Sequence, residues 1–95
     1  MDYELTRHAK ERMTERRISE KLLESAILHP NKLLYDEKDK IMFKKLYAGD
    51  KRLLIVVAER AKNNLKIITI IDTSKPEEYL WKNKILKFHT TRKAK

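Results

Sequence analysis

The hydrophobic positions change their period near Asn31, which divides the chain into a helical first third and a strand-rich remainder. Leu5, Ala9 and Met13 recur every four residues, so residues 6 to 17 are predicted to form a short amphipathic helix with Thr6 as its cap. Ser19 is a second cap residue. The helix it begins, with Leu22, Leu23, Ala26 and Ile27 facing inward, is expected to run to about His29, where Pro30 stops it. Beyond Asn31, the runs Lys32 to Tyr35, Ile41 to Tyr47, Arg52 to Glu59 and Leu65 to Asp72 are rich in β-branched or aromatic residues. The turns between them, Asp36 to Lys40, Ala48 to Lys51 and Arg60 to Asn64, are short enough for consecutive hairpins and predict a four-stranded antiparallel meander. Leu53 to Ala58 and Ile67 to Ile71 are apolar on both faces, as expected of central strands covered by helices. Lys44 and Lys45, set among Met42, Phe43 and Leu46, suit a strand with one solvated face. Ser74-Lys75-Pro76-Glu77 has capping-box spacing, so a third helix is expected from there to about Leu86, packed through Tyr79, Leu80, Trp81, Ile85 and Leu86.

These elements give an expected α+β class: two N-terminal helices, the meander sheet, a C-terminal helix and a basic tail. Residues 1–87 are expected to form one domain, and residues 88–95 a polar tail that orders on a partner. A chain of 95 residues has room for one modest core. With no cysteine there is neither a disulfide framework nor a thiolate metal site, and the three histidines have no metal-ligand spacing, so no metal or other cofactor is expected. The longest apolar run, Leu53 to Ala58, is far shorter than the ~20 residues of a membrane span. The N-terminus lacks a signal-peptide core, which points to a cytoplasmic protein without membrane contact.

Charge narrows the choice of partners. The formal net charge is +9 and the pI near 9.8. Lys82, Lys84, Lys87, Arg92, Lys93 and Lys95 crowd the last segment with no acid among them. Polyanions are the expected partners, bound through counterion release and therefore salt-dependent, although a basic tail pairs equally well with an acidic protein.

The most informative chemistry lies in Thr6-Arg7-His8-Ala9-Lys10-Glu11-Arg12-Met13-Thr14-Glu15-Arg16-Arg17-Ile18-Ser19. His8, Arg12 and Arg16 stand four apart on one helix face, roughly 6 Å between neighbours, a spacing comparable to successive phosphates on a nucleic-acid strand. Imidazole titrates near neutral pH, at about 6.5 when unperturbed, and arginine grips phosphate in a bidentate geometry that lysine lacks. Arg7, Lys10, Arg17, Lys84, Lys87, Arg92 and Lys93 extend the candidate RNA-binding set. The same cations also suit a plainly solvated face, paired at helical spacing with Glu11 and Glu15.

The opening Leu5-Thr6-Arg7-His8-Ala9-Lys10-Glu11-Arg12-Met13, with Arg16-Arg17-Ile18-Ser19, resembles the motif of a family of small bacterial and archaeal domains of unknown function allied to the RelE/ParE toxin superfamily. The strand Ile67-Ile68-Thr69-Ile70-Ile71 also resembles that family's closing strand, and the likeness extends from about Tyr3 to Asp72. It implies a RelE-like fold and a toxin that cleaves RNA, or the toxin half of a toxin and antitoxin pair. The family's recurrent His, Arg and Arg map onto His8, Arg12 and Arg16, and its buried strand hydroxyl onto Thr69. The late basic and aromatic residues used by RelE-type ribonucleases have only Tyr79, His89 and Arg92 as counterparts.

The expected activity is metal-independent endoribonuclease chemistry. A ribose 2′-hydroxyl attacks the neighbouring phosphorus, with His8 as base or acid and Arg12 and Arg16 holding the phosphate. The second proton carrier is open among Glu11, Glu15, Tyr47 and Glu59. RNA, ribosome-associated or free, and an acidic antitoxin are the expected partners. The alternative is a non-catalytic toxin or binding module that engages nucleic acid, an acidic antitoxin, or a protein target as ParE-type toxins inhibit gyrase. A free hairpin edge would support a homodimer by strand pairing.

Overall fold

Thr6 and Ser19 cap the first two helices as their side chains predict. In the computed structural model, which describes residues 3–35 and 39–80, α1 spans Arg7–Arg16 and the Thr6 hydroxyl accepts from Ala9 N–H at 3.2 Å. The second helix, α2 (Glu20–Leu28), begins at Ser19, whose side chain accepts from Leu22 N–H. Between them the chain closes α1 with Arg17 in the left-handed region, at φ 56°. The Arg17 and Ile18 N–H groups donate back to the Thr14 and Met13 carbonyls, a Schellman closure that leads buried Ile18 into the core.

The sheet has five strands and is mixed, which corrects the expected four-stranded antiparallel meander. The meander itself is present as β2 (Lys32–Tyr35), β3 (Lys40–Tyr47), β4 (Arg52–Arg60) and β5 (Leu65–Thr73), paired in sequence and antiparallel. A further strand, β1 (Tyr3–Leu5), adds to β5 in parallel, and the order is β1-β5-β4-β3-β2. Leu5, expected in the stripe of the first helix, therefore belongs to the sheet, opposite Ile67. Three residues are too few to show a period of two, and the partner of β1 lies some sixty residues away, so local pattern does not reveal it.

Opposite pleats of the sheet supply two cores. Leu54, Val56, Ala58, Ile67 and Ile70 pack with Phe43 beneath Ala9 and Met13 of α1 and Leu23, Ala26 and Ile27 of α2. On the other face Met42, Leu53, Ile55 and Val57 meet Leu80. Leu53 to Ala58 are buried throughout, as a central strand requires. Lys44 departs from the sequence expectation: instead of lying on a solvated face it is 1% exposed, and its Nζ donates to the Tyr79 carbonyl. Burial, followed by the nearby charge of Lys32, pushes the Lys44 ammonium below its ordinary pKa.

The last described helix, α3 (Pro76–Tyr79), starts one residue later than the capping box predicts. Lys75 holds the cap position without a side-chain cap, because the Thr73 hydroxyl accepts from Lys75 N–H and turns the chain before Ser74 can act. Pro76 takes the first helical position, where its missing N–H costs nothing. The expected continuation to Leu86 lies outside the described residues.

Candidate phosphate-binding site

An irregularity in β5 anchors the start of α1. Register between β4 and β5 shifts so that Ala58 faces Ile67 and Val57 faces Thr69, leaving Ile68 as an extra residue. Its carbonyl accepts from the Thr6 hydroxyl at 3.0 Å, while Thr6 N–H donates to the Ile67 carbonyl at 3.1 Å. The first turn of α1 is thus fixed to the sheet by the residue that also caps it. At the far end of the helix the charge of Arg16 reaches Asp72. From Thr6 to Arg16 the helix rises about 15 Å, and from Ile67 to Asp72 a strand covers about 17 Å, so α1 lies along β5.

This placement turns Ala9 and Met13 toward the sheet and leaves a flank on either side of them open to solvent. Ala9 and Met13 are buried, and Lys10 and Thr14 border a shallow depression shared with Leu5, Ile18 and Glu20. His8 and Arg12 occupy the opposite flank, where His8 and Arg16 are exposed and Arg12 is partly buried. Among the described residues neither the His8 nor the Arg16 side chain has a hydrogen bond or ion pair. Among the described residues Arg12 has one ion pair, Nη1 to Glu15 Oε1 at 3.9 Å, and its Nε is buried without a hydrogen-bond partner. Arg7 and Glu11 make the other predicted pair, at 3.8 Å and largely exposed. Exposed pairs of this length contribute little to stability and yield readily to a competing anion. Arg7, Lys10 and Arg17 are exposed on or beside α1 but do not share the flank of His8 and Arg12. Lys84, Lys87, His89, Arg92 and Lys93 lie outside the described residues.

Two other expected residues fall elsewhere. Thr69 is buried, 4% exposed, but it faces the layer of Val57 and Leu80 rather than α1. Glu59 sits at the opposite end of β4 from Arg52, between Lys40 and Lys66.

A polar cluster that sequence reasoning did not assemble occupies the sheet beside the end of α1. Tyr47 and Arg52 face each other across the β3–β4 hairpin, and Asp72 joins them from β5. Arg52 Nη2 meets Asp72 Oδ2 at 2.7 Å and Nε meets Oδ1 at 3.0 Å, while the Tyr47 hydroxyl donates to the same Oδ1 and accepts weakly from Nε at 3.3 Å. Burial pushes the Asp72 carboxyl up, but hydrogen bonds from Arg52 and Tyr47, and the charges of Arg52 and Arg16, outweigh it and hold the pKa below the usual carboxylate value. Burial and the Asp72 contact raise the Tyr47 hydroxyl against the opposing effect of Arg52, so the phenol stays protonated at neutral pH. The signal available in the sequence was the short turn at residues 48–51, which makes Tyr47 and Arg52 cross-strand neighbours.

Among the described residues no three His, Asp or Glu side chains converge as a metal site, and no helix is long and apolar enough to cross a membrane. No curated protein and no solved structure matches the chain. A family model does match, over residues 5–72, which includes β1's last residue, both N-terminal helices and β5 as far as Asp72. Its description states no activity, and the chain belongs to that family, the domain of unknown function DUF4258.

Proposed function

We propose that this domain binds single-stranded RNA along the His8–Arg12–Arg16 flank of α1 and cleaves it without a metal, as a toxin-type endoribonuclease of the RelE kind. The observation that carries this reading is the solvent-facing, loosely engaged state of that flank on a helix held firmly to the sheet by Thr6. Cations with weak internal partners suit an incoming phosphate, because little must be broken to receive it. The likeness of the opening motif to RelE/ParE-allied domains supports the same choice.

In this reading the His8 imidazole takes the proton of a ribose 2′-hydroxyl as its oxygen attacks the adjacent phosphorus. The O2′–P bond forms and the P–O5′ bond breaks. The departing 5′-oxygen takes a proton from water, leaving a 2′,3′-cyclic phosphate and a 5′-hydroxyl. Arg12, one turn from His8, neutralises the charge that builds on the non-bridging oxygens, and losing such a donor raises the barrier by about 3 kcal/mol. An acidic antitoxin fits a chain of net charge +9 as the natural restraint on this activity.

The test incubates the purified protein, His8→Ala and Arg12→Ala with total RNA in excess EDTA, with and without ribosomes, and maps new ends. Cyclic-phosphate ends that vanish in both variants at unchanged fold are expected. Absence of cleavage, with salt-sensitive RNA binding unchanged in His8→Ala, would leave a charge-driven binding module instead.

A further inference from the structure

The helix flank alone is longer than one phosphate needs. His8 and Arg16 lie about 12 Å apart along α1, or about two phosphate spacings, so they do not serve the same phosphodiester. Whatever His8 and Arg12 hold, Arg16 belongs to a second location. That location is occupied: Arg52 projects from the start of β4 beside Asp72, which also feels the charge of Arg16.

We infer that Arg16 and Arg52 form a second phosphate subsite, taking a backbone phosphate of an RNA strand about two nucleotides from the one held by His8 and Arg12. This deepens the proposed function and rests on it for the identity of the strand. Three observations converge. Arg52 alone pairs with Asp72, and Arg16, at the end of the helix that runs along β5, adds a second positive charge that Asp72 feels, so the acid is neutralised and the region keeps a net positive charge. Asp72 and Tyr47 engage only the Nε and Nη2 side of Arg52, so among the described residues Nη1 has no acceptor. The Arg52 side chain is 37% exposed while that of Asp72 is 7% exposed, so the cation faces solvent and the anion sits behind it. Asp72 and Tyr47 are then positioning residues, locking a flexible guanidinium in one orientation and lowering the entropy lost on binding.

The subsite predicts a length threshold. Fluorescent oligouridylates of two to eight nucleotides, fully 2′-O-methylated so that they cannot be cut, are titrated by anisotropy at several salt concentrations. Affinity is expected to step up once the strand carries three to four phosphates. Arg52→Gln should lose about tenfold on the long strands and nothing on the dinucleotide, with a salt slope shallower by about 0.7. Because Arg52→Gln alone strips Asp72 of its partner, the neutral pair Arg52→Gln/Asp72→Asn is measured beside it, with circular dichroism and melting to verify the fold. The same loss in the pair supports the subsite. Wild-type affinity in the folded pair, or a wild type without a length step, overturns it. His8→Ala should keep the step, so a protein that shows the step but never cuts RNA refutes the nuclease reading alone. Cutting without the step refutes the subsite alone.

Discussion

Asp72 is the residue on which local energetics and the site meet. Its carboxylate accepts from Arg52 and Tyr47, and its folded pKa lies below the ordinary value. A carboxyl lowered by folding stabilises the native state fully above its unfolded pKa of about 3.9 and loses that contribution as pH falls through the folded value. Wild-type stability should therefore fall away below about pH 4 more steeply than that of Asp72→Asn, whose curve lacks this component. At neutral pH the same variant should be less stable by about 1–3 kcal/mol, since Arg52 and Tyr47 lose their shared acceptor in a partly buried setting. Urea midpoints from pH 2 to pH 7 measure both effects, and parallel curves for the two proteins would mean that Asp72 is not held as described. Lys44 shows the opposite relation between charge and burial: its ammonium is lowered by burial yet hydrogen-bonded to Tyr79, so it ties α3 to the sheet rather than offering a cation to a ligand.

At the level of elements, the ends of α1 decide where the His8 flank points. Its start is favoured, with Thr6 both capping the helix and bonding the bulged carbonyl of Ile68. Its finish carries strain, because Arg17 closes a Schellman motif at φ 56°, a region in which a Cβ is costly. Arg17→Gly should raise stability by about 0.5–1 kcal/mol without moving α1, read as a higher denaturation midpoint with an unchanged m-value. A drop in the midpoint would mean that the Arg17 side chain contributes more than its backbone strain removes. The elements that were legible in the sequence are those governed by a local rule: Thr6 and Ser19 as caps, Pro30 as a stop, and the apolar run of β4 as a buried strand. Those that were not legible depend on distant partners. The strand β1 exists because β5 offers an edge, Lys44 is buried because Tyr79 comes to it, and Ser74 fails as a cap because Thr73 acts first. The candidate site divides in the same way. Helical spacing places His8, Arg12 and Arg16 on one flank, whereas bringing Asp72 to Arg52 needs the register of β5 on β4.

For the whole molecule, the question is whether its excess of cations acts as a diffuse cloud or as a track. The net charge of +9 attracts any polyanion, and that attraction alone would make every lysine and arginine nearly equivalent. A track is the alternative, with Arg12 and Arg16 on the helix that runs along β5 toward Asp72, while the β4–β5 hairpin, with exposed Lys62, lies at the end of those strands away from Arg52 and Asp72. Charges beyond a Debye length of about 8 Å at physiological salt are largely screened from one another, so a distant lysine should matter little. Lys62→Glu lowers the net charge from +9 to +7, and Arg12→Ala only from +9 to +8. A diffuse cloud therefore predicts the greater loss of RNA affinity in Lys62→Glu. A track predicts the reverse: Lys62→Glu close to wild type, and Arg12→Ala weaker, with the slope of log K against log salt reduced by about 0.7, the share of one phosphate contact on a single strand. Titrating both variants against the same uncleavable oligomer between low and physiological salt decides the matter. Equal slopes with a larger deficit in Lys62→Glu would assign the binding to net charge and remove the His8 flank from it.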